Sequence, residues 1–185
     1  METTLQALGM IEFNSIAAGI AASDRMVKAA GVTPLYLKTI CPGKFIAAVH
    51  GQVAEVESSI EAGKADAPDT VVDHFVIPRI SPEVVAAMSG TNTGIHGPAL
   101  GIIETFSAPS AILAADHAGK AANIFLSEVR IAMGLGGKAF CTFTGEVAAV
   151  ESAVEAGADS VKESGLLVRQ EVIPALDSQV RPFVL

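Results

Sequence analysis

Gly51-Gln-Val-Ala-Glu-Val-Glu-Ser-Ser-Ile-Glu-Ala-Gly63 and Gly145-Glu-Val-Ala-Ala-Val-Glu-Ser-Ala-Val-Glu-Ala-Gly157 share nine of thirteen residues. A second correspondence precedes them in the same order: Ala7-Leu-Gly-Met-Ile-Glu12 is echoed by Ala99-Leu-Gly-Ile-Ile-Glu104, and Ser15 by Ser107. A third follows, Val76-Ile-Pro78 recurring as Val172-Ile-Pro174. Ordered self-similarity of this kind marks a tandem repeat. The chain therefore divides into two copies of one unit, with expected bounds 1–94 and 95–185. Glu12 and Glu104 are 92 residues apart whereas Lys44 and Lys138 are 94 apart, so two residues are inserted between these points. The insertion falls in one loop, Ile40-Cys-Pro-Gly-Lys44 in the first copy and Ala132-Met-Gly-Leu-Gly-Gly-Lys138 in the second. The copies differ most in chemistry there.

Within the unit, Leu8 to Phe13 is a short apolar run suited to a buried strand, and Ser15 is placed to cap a helix running to Ala30. Ile16, Ile20 and Val27 form the apolar face expected of that amphipathic helix, with Asp24, Arg25 and Lys28 elsewhere. Val32 to Ile40 and Lys44 to His50 predict a hairpin across the Pro-Gly turn. Val53, Val56 and Ile60, repeated as Val147, Val150 and Val154, mark a second helix, and Val71 to Ile77 a fourth strand. The unit reads β-α-β-β-α-β, an α+β sandwich of ferredoxin-like kind, with an antiparallel sheet backed by helices.

Composition bounds what such a protein does. Half the residues are hydrophobic but only 17% are charged and 5% aromatic, so surface is expected to be covered by other subunits. The longest charge-free stretch, Val84 to Ile103, is interrupted by Ser-Gly-Thr-Asn-Thr-Gly and His-Gly-Pro and reads as a linker rather than a membrane span. Met1 to Ala7 lacks the features of a signal peptide, and a cytosolic location is expected. A net charge of −8 argues against nucleic acid. No nucleophile elbow, P-loop or dinucleotide fingerprint is present, so no enzyme is expected.

Cys41 precedes Pro42 and Gly43 in a turn, where a thiol is more accessible than in a strand; a free cysteine is otherwise a small buried hydrophobe. Cys141 takes the place of Ala47 in a strand and reads as core. Gly134, Gly136 and Gly137 could cradle an anion with their backbone N–H groups, but better suit loops that crowd round an axis and need residues without side chains and with free φ. Lys44 and Lys138 flank the two loops and could attract anions or simply be solvated. Asp24 with Lys28 and Asp116 with Lys120 are helical i, i+4 pairs. His50, His74, His96 and His117 show no ligand spacing.

Taken in order, Gly9-Met-Ile-Glu12, Asp24 and Lys28 with Met-Val-Lys-Ala-Ala, the glycine loop before Lys44, Gly-x-Val-x-x-Val-Glu and Val-Ile-Pro-Arg79 resemble the bacterial microcompartment shell domain, twice over. Single-domain members are cyclic hexamers with a central pore, so the resemblance implies a homotrimer of pseudo-sixfold shape that meets other shell proteins edge to edge. Lys38-Thr-Ile-Cys-Pro-Gly-Lys-Phe45 and Met133-Gly-Leu-Gly-Gly-Lys138 are most similar to the tandem, T-type trimeric class of propanediol-utilisation compartments. That likeness implies a pore lined by Ile40, Cys41, Pro42 and Gly43 with Met133, Gly134, Leu135, Gly136 and Gly137. It also implies Cys41 as the ligand of one [4Fe-4S] cluster per trimer, for electron transfer or cluster exchange across the shell, with a luminal redox enzyme as a partner. Lys28, Lys120 and Arg79 match the tile edge; the second copy has Ala175 where the first has Arg79. The alternatives are a cluster-free metabolite pore and a ferredoxin-like small-molecule sensor.

Overall fold

The computed structural model describes residues 6–90, 92, 94, 96–131 and 133–184. Most of the segment read as lacking a signal peptide, together with Thr91, Thr93, Ile95 and Ala132 of the linker and second loop, lies outside the described residues. Two four-stranded antiparallel sheets form, one per repeat. In the first, β1 (Ala7–Phe13), β2 (Thr33–Ile40), β3 (Lys44–Gly51) and β4 (Val71–Ile77) take the order β2-β3-β1-β4. Helices α1 (Ile16–Ala29) and α2 (Val53–Asp66) cross over between them, which is the ferredoxin-like arrangement read from the repeat. β1 lies at the centre because it is the most apolar run, and all seven of its residues are buried. Its core partners are Met26, Phe45, Val49, Val56 and Ile60.

Downstream come α3 (Pro82–Met88), β5 (Ala99–Thr105), α4 (Ala108–Ala121), β6 (Phe125–Ile131), β7 (Ala139–Gly145), α5 (Val147–Lys162), β8 (Leu167–Ile173) and α6 (Arg181–Val184). The second sheet has the equivalent order β6-β7-β5-β8. Registers agree between copies: Ile11 faces Ala47 and Ile103 faces Cys141, which puts Cys141 at the core position assigned to it. Both serine caps form. The Ser15 hydroxyl accepts from Ala18 N–H at 3.3 Å, and the Ser107 hydroxyl from Ser110 N–H at 3.1 Å.

Two expectations are corrected. The face of α1 that carries Ile16, Ile20 and Val27 points outward, with exposures of 38%, 56% and 37%. The inward face is Gly19, Ala22, Ser23 and Met26. Gly19 decides this, because Phe45 packs so close that a Cβ there would lie 2.7 Å from the ring. Only the small-residue stripe lets the helix approach the sheet. The start of the expected linker is also helical: α3 opens at Pro82, which suits the first turn, and buries Val84 and Ala87.

The chain resolves into two compact units, 1–80 with 132–137, and 81–131 with 138–185. The expected division between residues 94 and 95 thus falls inside the second unit, because α3 packs on β6 and α4 there. No helix among the described residues is long and apolar enough to cross a membrane.

Candidate functional site

The β2–β3 hairpin closes with Ile40 paired to Lys44, leaving Cys41-Pro42-Gly43 as the turn. Ile40 is buried, Cys41 half-buried, and Pro42 and Gly43 exposed. The Cys41–Pro42 peptide is cis and Gly43 has φ +77°. In the second repeat the corresponding connection, between Ile131 and Lys138, groups with the first compact unit. Met133, Gly134 and Gly136 are exposed, Leu135 is half-buried and Gly137 is buried. Gly137 is required twice over: its φ is +88°, and a Cβ would lie 2.8 Å from Cδ of Pro42. Gly137 and the cysteine turn are therefore packed against each other, whereas a Cβ at Gly134 or Gly136 would meet nothing within 4 Å. All nine candidate pore residues are described; the turn and the Gly137 end of the loop meet at Pro42.

Each sheet carries its own ion pair at equivalent positions, and sequence reading missed both. Lys44 Nζ donates to Glu12 Oε1 at 2.6 Å, with the Glu12 side chain wholly buried. Lys138 Nζ donates to Glu104 Oε1 at 3.0 Å, in a more open setting. The lysines are engaged by carboxylates of their own sheets rather than held out for an anion. The signal was present: an acid one residue from the end of an otherwise apolar inner strand, in both copies, calls for a counter-charge.

The candidate edge residues lie apart from this turn in the sequence and on other elements. Lys28 Nζ donates to Asp24 at 2.6 Å on the open surface of α1. Lys120 donates to Asp116 on α4, but here the carboxylate is buried and also accepts from the Ser81 N–H at 2.9 Å. Arg79 is exposed just beyond β4. The histidines stay scattered: His96 stacks on Phe125 at 4.7 Å, and burial together with the Lys64 charge lowers the pKa of His74. Among the described residues no three His, Cys, Asp or Glu side chains gather as a metal site. Cys141 is fully buried, which pushes its thiol up to about 12.

One chain thus offers a single accessible thiol, on a turn beside a glycine loop. A lone thiolate does not hold an iron–sulfur cluster. The donor set suits one only if symmetry-related chains bring their turns together.

The BMC domain model matches residues 7–80 and 99–176. The chain is 44% identical to the bacterial microcompartment shell protein PduT of Citrobacter freundii, over 91% of this chain and 92% of that one. It is 30% identical to the carboxysome assembly protein CcmO of Synechocystis, over 92% of this chain and 61% of that longer protein. Among solved structures, a microcompartment protein from Desulfitobacterium hafniense superposes with a TM-score of 0.81 at 48% identity, covering 95% of this chain and 98% of that one.

Proposed function

The chain belongs to the BMC-domain family, as a tandem-domain shell protein of a bacterial microcompartment with a structural rather than enzymatic role, and on that premise we propose a homotrimeric tile with a redox-active pore. In this reading three Cys41 turns converge on the threefold axis and their thiolates hold one [4Fe-4S] cluster. The observation that carries it is the contrast between the two thiols. Cys41 stands half-buried on an otherwise exposed turn against a glycine loop, while Cys141 is sealed in β7. A cyclic arrangement converts one donor per chain into three per site. The cluster, when bound, supplies one-electron transfer, with a luminal redox enzyme as the electron partner. The chain's own contribution is to hold the turn: Lys44 is tied to Glu12 at its base, and Gly137 leaves room for Pro42. Lys28, Lys120 and Arg79 are proposed to meet neighbouring shell proteins at the tile edge. Family membership favours the tile over a small-molecule sensor.

Iron analysis of protein purified or reconstituted anaerobically tests the pore. About four irons per trimer are expected in wild type and in Cys141→Ala, falling to background in Cys41→Ala. Iron persisting in Cys41→Ala refutes the ligand assignment, and none in reconstituted wild type leaves the cluster-free metabolite pore.

A further inference from the structure

The strand registers give each unit two opposite ends. In the first unit the Cys41 turn closes β2 and β3 at one end, where Ile40 pairs with Lys44. At the other end Leu8 pairs with both His50 and Ile77, and Thr33 with His50. Arg79 follows two residues after Ile77, and Lys28 stands in the last turn of α1, which leads into Thr33. Both cations therefore lie at the end remote from the turn. The second unit repeats the plan, with Lys138 at its loop and Leu100 paired with Thr144 and Ile173 at the remote end. When the turns converge on one axis, the remote ends form the rim.

The two rims differ in charge. The first repeat presents Arg79 and Lys28, both exposed, and its acids are engaged: Asp24 by Lys28, and Glu55 by the Gly31 N–H at 2.6 Å. In the second repeat Ala175 takes the place of Arg79. Lys120 is held on Asp116, whose other carboxylate oxygen accepts from Ser81. At this end a cleft opens between Glu83, in the first turn of α3, and Glu146, at the N-cap of α5, with His96 and Asn123 also lining it. Both carboxylates are exposed, and Glu146 makes no capping hydrogen bond. The first repeat has the neutral Gln52 at the position of Glu146.

We infer that tiles join by unlike rims: Arg79 on the first-repeat rim of one trimer enters the Glu83–Glu146 cleft on the second-repeat rim of its neighbour. The contact lies between trimers rather than within one, and the inference rests on the reading of the chain as a trimeric tile. Like rims are disfavoured by charge. Two first-repeat rims set Arg79 and Lys28 against the same cations, and two second-repeat rims set carboxylate against carboxylate. Symmetry leads to the same pairing. Around a closed ring of three chains the rims alternate, so opposite sides of a pseudo-hexagonal outline belong to different repeats. Neighbours related by translation alone then meet first repeat to second on every side, and the sheet grows with all its tiles in one orientation.

The test is sheet formation by the full-length trimer, followed by electron microscopy over a concentration series. Arg79→Glu and Glu146→Arg are each expected to keep the trimer mass in light scattering and to raise the concentration needed for sheets at least about tenfold. The double variant Arg79→Glu/Glu146→Arg restores opposite charges across unlike rims but not across like ones. It is expected to form sheets within about threefold of the unsubstituted chain's threshold. A double variant no better than the single ones, single variants that assemble normally, or unsubstituted trimers that form no sheets would overturn the pairing of unlike rims and leave the trimeric tile standing. A monomeric unsubstituted chain overturns both.

Discussion

Cys41 and Cys141 are the only thiols of the chain, and their surroundings give them opposite chemistry. Cys141 is enclosed by β5 and β6, with burial raising its thiol to about 12 against an ordinary 9.0. Metal-free native protein is expected to show one thiol reacting readily with an alkylating agent at pH 8, Cys41, and a second reacting only on unfolding; mass mapping of the labelled peptides checks this. The raised value also sets a pH dependence. Below about 9 the thiol is protonated in both folded and unfolded chains. Between about 9 and 12 only the unfolded chain loses the proton, so stability falls as pH rises through that window, by at most about 1.4 kcal/mol per pH unit. Urea midpoints at pH 8 and pH 10 should show a decline that Cys141→Ala reduces. The core role of this residue was legible because its repeat partner is Ala47. The accessibility of Cys41 was legible from Pro42 and Gly43.

At the level of elements, the ion pair beneath each hairpin distinguishes the two sheets. Glu12 is wholly buried and the Lys44 side chain is only 18% exposed, whereas Lys138 and Glu104 are 43% and 33% exposed. Removing one partner of a buried pair costs about 3–5 kcal/mol, and an exposed pair is worth about 0–1 kcal/mol. Lys44→Met is therefore expected to lower the unfolding free energy by about 3 kcal/mol or more and Lys138→Met by about 1 kcal/mol or less, compared by urea denaturation at equal protein concentration. Equal losses would mean that the two hairpins are anchored alike. Strands and helices were readable to within a residue or two, because the repeat supplied every pattern twice. The face of α1 was not. Ile16, Ile20 and Val27 are the obvious core residues by hydropathy, but Phe45 fits only over Gly19, and hydropathy does not record close approach. α3 escaped for a related reason: its apolar residues complete the second repeat's surface, and a charge-free stretch interrupted by Gly-Thr-Asn-Thr-Gly hides them.

The whole molecule is two copies of one fold, and that much followed from the correspondence of Gly51–Gly63 with Gly145–Gly157. What the sequence of a single chain does not display is a site that exists only when several chains meet. Among the described residues Cys41 gathers no set of metal ligands in its own chain, Ile20 and Phe183 are apolar yet exposed, and Asp24 lacks the cover that Asp116 has. The proposed closure of three chains into a ring would account for these separate features together. The most direct measurement is the mass of the purified protein in solution by light scattering or native mass spectrometry. Three copies per particle are expected, unchanged in Lys28→Ala and Arg79→Ala, whose side chains are proposed to lie at the outer edge. A monomer or a dimer at micromolar concentration would contradict the account.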